Sequence, residues 1–253
     1  MSVVDRAGVR RPDWRRYQDR LAAVEDAAQN FALEEGHEAT EADGWRLDHH
    51  TTELPAEPPG PPRPPGAPDA SWAIARELVR TYAFPDPRLI TGIYAPDRPV
   101  SGRPMLLRAR FLGFTFWFGV RMSDEVEEVR ETDDGPVHVY STGYSTLEGH
   151  FERGQITFEV RKTERTGAVA FHMDAFSQPD HIRNPFYRIG FKLFGRRLQL
   201  RFARTAIERM QRFVGEELAA RAAGVEAPER ETVEPQRPDA EAAAHAADTL
   251  GEG

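Results

Sequence analysis

Trp14, Tyr17, Leu21, Val24, Ala28 and Phe31 recur at alternating steps of three and four. That spacing places all six on one side of a helix, with Arg15, Arg16, Asp19, Arg20 and Glu25 largely elsewhere. Gly36 is the expected stop. A stripe of this kind must be buried, either against the chain's own main domain or against a second copy. A homo-oligomer through the Trp14–Phe31 helix is therefore one expectation. The residues before it, 1–12, are polar and unpatterned and read as a mobile arm.

Trp45–Leu54 reads as an extended segment. Pro55 to Pro68 then holds eight prolines in fourteen residues, which excludes a helix interior or a central strand and predicts an extended linker or surface loop. Asp69 or Ser71 can cap a helix running through Trp72, Ile74, Ala75, Leu78, Val79 and Tyr82, ended by Pro85 and Pro87. From there the pattern changes to strands at 89–94, 104–111, 115–122, 125–131, 137–142, 155–162 and 168–176. Turn signals separate them at Asp97, Gly102, Gly113, Asp133-Asp134-Gly135 and Gly167. Ile156, Phe158 and Val160 alternate on one face, as do Val169, Phe171, Met173 and Ala175. A long helix follows Asn184, with Leu200, Ala203, Ala206, Ile207, Met210, Phe213 and Val214 on its apolar side and Arg197, Arg201, Arg204 and Arg212 opposite. It frays after Gly215 or Gly224.

This order predicts an α+β fold, a curved antiparallel sheet wrapped round a long C-terminal helix (helix-grip-like), with an extra N-terminal amphipathic helix. The predicted organisation is an arm and helix over 1–36, one α+β domain over 45–222 with a proline-rich loop at 55–68, and a disordered acidic tail over 225–253.

Composition narrows the function classes. The chain has 253 residues and a formal net charge of −8, which argues against bulk nucleic-acid binding. The charge is uneven: Arg183 to Arg212 carries nine Lys/Arg against the single Glu208, and Val225 to Gly253 carries eight acids against two arginines. The basic stretch, with Phe186, Tyr187, Phe191 and Phe194 at its start, reads as a solvated helix face partly neutralised by the tail. Contact with anionic lipid or nucleic acid is the lesser reading. Cysteine is absent, so thiolate chemistry is excluded and a cytoplasmic setting is expected. The N-terminus lacks a charged start followed by an apolar run, so no signal peptide is expected. The greasiest run, Phe111–Phe118, is too short to span a membrane.

The chemistry concentrates in Tyr144-Ser-Thr-Leu-Glu-Gly-His150-Phe-Glu152-Arg-Gly154. If this piece is extended, Glu148, His150 and Glu152 share one face. A carboxylate beside an imidazole raises its pKa and fixes its tautomer, the pairing a general base needs. Tyr144 and Ser177 add hydroxyls. The plainer reading is a histidine bonded to a turn. His49 and His50 would point to opposite faces of a strand. His172 and Asp174 share a face, but simple alternation explains them, and no metal is expected. Neither a serine elbow nor a glycine-rich phosphate loop is present, and no cofactor is implied.

These residues, with Phe158-x-Val160 and Ala175-Phe176-Ser177-Gln178-Pro179, resemble an uncharacterised bacterial and plant family, the domain of unknown function numbered nineteen-ninety. Its pattern reads roughly YGTLPGHPExGExxF, then AFSxP and an arginine-rich closing helix. The match covers residues 70–213. Here Ser145 stands for a glycine, Glu148 and Phe151 for prolines, and Gln155 for an acid. The resemblance implies a layout similar to helix-grip proteins and brings no established activity.

The expected function is non-catalytic binding of a small hydrophobic or amphipathic ligand in a sheet–helix cavity. Phe114, Phe116, Phe158 and Phe171 would form walls, and Tyr144, His150 and Ser177 would orient the ligand. The full candidate set is Tyr144, Thr146, His150, Glu152, Phe158, Phe176 and Ser177. Two alternatives stand beside it: an enzyme of lyase, cyclase or hydrolase type using His150 with Glu152, and a protein–protein interaction module.

Overall fold

The alternating segments become the strands of one large sheet in the computed structural model, which describes residues 2–4, 9–33, 38–111, 114–180, 185–228 and 230–231. Gly36, the tail beyond 231, and the side chains of Phe114, Phe186, Tyr187, Phe191 and Phe194 lie outside what is described.

The chain runs β1 (Ser2–Val4), β2 (Val9–Pro12), a short 3-10 turn Trp14–Tyr17, α1 (Gln18–Glu25), β3 (Arg46–Leu54), α2 (Ser71–Arg80), β4 (Ile90–Ile93), β5 (Pro104–Phe111) and β6 (Phe114–Met122). It continues with β7 (Val126–Thr132), β8 (Gly135–Thr146), β9 (Glu152–Thr163), β10 (Val169–Pro179), α3 (Pro185–Ala223) and β11 (Arg230–Glu231). The eight-stranded sheet is ordered β3-β10-β9-β8-β6-β5-β4, with β7 attached to β8. All its pairings are antiparallel. β8 is shared: its first half pairs with β7, up to Val126↔Ser141, and its end pairs with β6 from Met122↔Tyr144 to Val120↔Thr146. The fold is the expected α+β arrangement, with the long helix last.

The inner face of the sheet and the two longer helices enclose the core. Trp72, Ile74, Ala75, Leu78 and Val79 of α2, and Ala203, Ala206, Met210, Phe213 and Val214 of α3, are buried with Met105, Leu107, Val120, Met122, Tyr140, Phe158, Val160, Phe171 and Met173. Leu200, expected on this apolar stripe, is 45% exposed. α3 does not fray at Gly215. It ends at Ala223, where Val225 N donates to Ala220 O at 3.0 Å.

The N-terminal stripe behaves differently from its periodicity. α1 stops at Glu25, and Ala28 and Asn30 leave the helix to bond the end of the sheet: Glu148 N donates to Ala28 O at 2.9 Å, and Asn30 N to Thr146 O at 3.3 Å. Tertiary backbone pairing overrides the local period there. Leu21 and Val24 are buried against Ile93, Leu106 and Leu147 on the outer face of the sheet, and Tyr17 lies 5.4 Å from the Trp117 ring. The stripe is thus taken up by the chain's own sheet. The arm before it is ordered in part as well, because β2 pairs with β1 and, in parallel, with β11.

The proline-rich stretch is a surface loop fastened at one buried point. The Glu57 carboxylate accepts from Lys162 Nζ at 2.7 Å, from Arg63 N at 3.0 Å and from Trp72 N at 2.7 Å. It therefore serves as the N-terminal cap of α2, a role expected of Asp69 or Ser71. Lys162 Nζ also donates to the carbonyls of Pro58 and Pro61 at 3.2 and 3.0 Å.

Candidate functional site

The Tyr144–Gly154 stretch is a hairpin end. β8 runs to Thr146, and Leu147 is fully buried. Glu148 and Gly149 form an exposed turn in which Gly149 holds a φ of 85°. This left-handed conformation is why a glycine stands there. Thr146 fastens the two arms, with Oγ1 accepting from Gly154 N at 2.9 Å and donating to Asn30 Oδ1 at 2.6 Å. Asn30 Nδ2 donates in turn to Glu152 O at 3.0 Å and to Asp180 Oδ2 at 2.8 Å. Asn30 had no signal in the sequence pattern, and Thr146 is spent on the hairpin.

The turn separates what an extended chain would align. Glu148 faces solvent, and the His150 imidazole bonds the main chain of Glu152, accepting from its N–H at 3.0 Å through Nδ1. The Glu152 carboxylate is bonded elsewhere, accepting from Gln199 Nε2 of α3 at 2.6 Å. His150 also lies 4.5 Å from the Phe118 ring. Burial lowers its pKa to about 4, where a carboxylate partner was expected to raise it, so the ring is neutral near pH 7. Burial pushes the Glu152 carboxyl up, against the pull of Gln199 and Arg46.

Behind this hairpin stand two tyrosines. Tyr82 follows the last turn of α2 at a φ of 50°, among the described residues the one non-glycine with positive φ. Its N–H donates to Val79 O at 2.9 Å and the next N–H to Leu78 O at 2.9 Å, the helix-ending pattern in which glycine usually occupies this position. A side chain is held there at some cost, and the ring is buried against Phe84, Tyr144 and Phe158 at 5.5, 6.0 and 6.1 Å. β4 makes room for it: a Cβ on Gly92 would stand 2.6 Å from Tyr82 Cδ1. The Tyr82 hydroxyl is buried without a hydrogen bond of normal geometry among the described residues. Burial raises its pKa well above the ordinary value and pushes that of Tyr144 up to about 12, so both stay protonated. Nothing in the sequence marked Tyr82 beyond its place at a helix end.

The interior is filled at one end and less fully buried at the other. Around Tyr140, Phe84, Phe158, Phe171, Met173 and Met210 the side chains are fully buried, with Phe158 and Phe171 stacked at 6.5 Å. At the hairpin end, Phe116, Phe118 and Ile156 on the same inner face keep partial exposure, backed by buried Phe151 at 4.9 Å from Phe118. His150, Glu152 and Gln199 stand at this end, with Arg46 and the Arg196–Asp48 ion pair (2.5 Å) beyond them. Of the candidate residues, Tyr144, His150 and Glu152 gather here. Ser177 is half-buried on the same face, opposite Gly154. Phe158 sits in the filled end. Phe176 is on the outer face, edge-on to Trp45 and Phe31 at 5.1 and 5.5 Å.

On the outer face His49 contacts Asp174, and His172 lies 6.1 Å from the His49 ring. Among the described residues no group of three His, Asp or Glu is arranged to hold a metal ion. None of the helices there is long and apolar enough to cross a membrane.

A family model described as a domain of unknown function (DUF1990) matches residues 30–209, and the chain belongs to that family. No curated protein matches the chain. Among solved structures, the chain is similar to TTHA0849 from Thermus thermophilus, at 11% identity and a TM-score of 0.41, over 69% of this chain and 98% of that one. It is also similar to Ara h 8.0201, at 10% identity and a TM-score of 0.36, over 68% and 98% of the two chains.

Proposed function

We propose that this member of the DUF1990 family is a non-catalytic binder, in the cytoplasm, of a small apolar or amphipathic molecule, held at the less buried end between the sheet and α3. The observation that carries this reading is the partial exposure of Phe118 and Ile156 on an inner face whose other large apolar side chains among the described residues are mostly buried. Large apolar side chains facing inward yet reachable by solvent offer burial to a ligand at about 25 cal/mol per Å² removed from water. The polar groups beside this surface include the uncharged His150 imidazole and the Tyr144 hydroxyl, which are able to orient a bound molecule.

The enzymatic alternative draws on His150 with Glu152. It is not favoured, because the imidazole bonds the Glu152 main chain while the carboxylate bonds Gln199.

Native mass spectrometry of protein purified from its own host tests the binding reading. The expected result is added mass of a few hundred daltons that disappears on denaturation. A bare protein mass, together with no uptake of a fluorescent apolar probe such as 2-ethylnaphthalene, would overturn it.

A further inference from the structure

Three features converge on Tyr82 and Tyr144 that core packing alone does not require. Tyr82 occupies a left-handed backbone position that costs a tyrosine free energy. β4 carries a bare glycine, Gly92, where any side chain would strike the Tyr82 ring. The Tyr82 hydroxyl is buried without a hydrogen bond of normal geometry among the described residues, a loss a phenylalanine would avoid. The polar group beside it is the Tyr144 hydroxyl, on a ring centred 6.0 Å away. Tyr144 pairs across β8 and β9 with the partly exposed Ile156, so its ring lies between that residue and the fully buried Tyr82 side of the core.

We infer that the molecule held at this end of the core presents a neutral carbonyl oxygen, which accepts a hydrogen bond from Tyr144 while Tyr82 positions Tyr144 from behind. The inference rests on the binding reading above and adds the ligand's polar group. Both phenols are held protonated by burial, so Tyr144 has a proton to give and the oxygen of each phenol remains an acceptor. An acceptor bound to the Tyr144 O–H makes the Tyr144 oxygen a better acceptor for Tyr82, drawing the two hydroxyls into one bonded chain. Among the described residues the groups beside the two hydroxyls are aromatic rings and the neutral His150, while Arg46 and Arg196 stand farther out by Glu152, so a ligand carboxylate at Tyr144 would be desolvated with little compensation. A ketone, enone or ester oxygen on an apolar frame fits this surface.

The test compares 2-acetylnaphthalene with 2-ethylnaphthalene, two probes of similar shape that differ in the carbonyl, on the full-length chain and its Tyr144→Phe and Tyr82→Phe variants. Dissociation constants come from fluorescence titration, with thermal melting to show that each variant is folded. Tyr144→Phe should weaken the acetyl probe about tenfold, or ~1.4 kcal/mol, and leave the ethyl probe within about twofold. Tyr82→Phe should weaken the acetyl probe about threefold, again sparing the ethyl probe. The infrared carbonyl stretch of the ¹³C-labelled acetyl probe should move to lower frequency on wild-type protein and return toward its apolar-solvent value in Tyr144→Phe. If both probes bind and the substitutions change them alike, the carbonyl assignment falls while the binding site stands. If neither probe binds wild-type protein, the binding reading falls and this inference with it.

Discussion

Lys162 and Glu57 bury their charges against each other: Nζ lies 2.7 Å from Oε2, and neither side chain is exposed to solvent. Removing one partner leaves the other charge uncompensated in the interior, which costs about 3–5 kcal/mol. Lys162→Met should lower stability by that order in urea unfolding. It should also release the loop, read as faster hydrogen exchange at Glu57 and Gly60, whose amides bond Gly167 O and Glu164 O at 2.9 and 2.8 Å. Adding Glu57→Gln should restore part of the loss, because no buried charge remains. A double variant no better than the single one would show that the carbonyl contacts and the α2 cap carry the effect.

Gly92→Ala places a methyl 2.6 Å from Tyr82 Cδ1 and 2.9 Å from Met105 Sδ. Both neighbours are buried, so the expected cost is about 1–3 kcal/mol. Pairing it with Tyr82→Gly removes the clash and the strained side chain together but leaves a cavity beside Phe84 and Phe158. The two changes should therefore be non-additive, with the double variant more stable than the sum of the single losses. Thermal melting of the four proteins closes this cycle.

His150 gives stability a pH dependence with a definite sign. Its folded pKa of about 4 lies below the ordinary value of 6.5, so in the window between them the unfolded chain takes up a proton that the folded chain refuses. Stability should fall as pH drops from about 6.5 towards 4, by up to ~3 kcal/mol, and the His150 contribution should level off below that. Glu152, whose pKa is raised, acts in the opposite direction and favours the folded state on protonation. The difference between wild-type and His150→Gln urea midpoints across this range isolates the histidine. A difference that stays flat with pH would contradict its burial as a neutral ring.

Removal of residues 1–33 should lower stability rather than change the oligomeric state. Leu21 and Val24 cover Ile93, Leu106 and Leu147, and these apolar side chains would be left bare on the outer face. Light scattering of the full chain before and after deletion reads the oligomeric state, and urea unfolding of the same samples reads the stability. A full-length dimer that becomes a folded monomer on truncation would revive the interaction reading.

Most of the architecture was legible because alternation and turn chemistry dominate in a sheet with one sealed face. Residues 104–111 were expected as a strand and form β5 over the same span. The misses have one cause, pairing between distant segments. Ala28 and Phe31 fit a helical period, yet the backbone of 28–30 bonds residues 146 and 148. The α2 cap comes from Glu57 rather than from the adjacent Asp69 or Ser71. At the site, the motif suggested a side-chain pairing of His150 with Glu152, but the turn at Gly149 decides which atoms meet, and the imidazole bonds the Glu152 main chain. Tyr82, Phe118 and Gln199 are brought to that place by α2, β6 and α3, and no local pattern connects them. Phe176 shows the limit of motif membership, since it stands next to Ser177 in the same motif and lies on the opposite face of β10.

Asn30 holds Thr146, Glu152 and Asp180 together through one carboxamide. Its bonding therefore imposes an order of events during synthesis. Asn30 lacks its full set of partners until some 150 further residues have emerged and β8, β9 and β10 have paired. Residues 26–33 are thus made before the sheet yet are secured only once its last long strand is in place. A nascent chain halted before Asp180 should accordingly remain open to proteolysis within residues 26–33, and one extended past it should become resistant there.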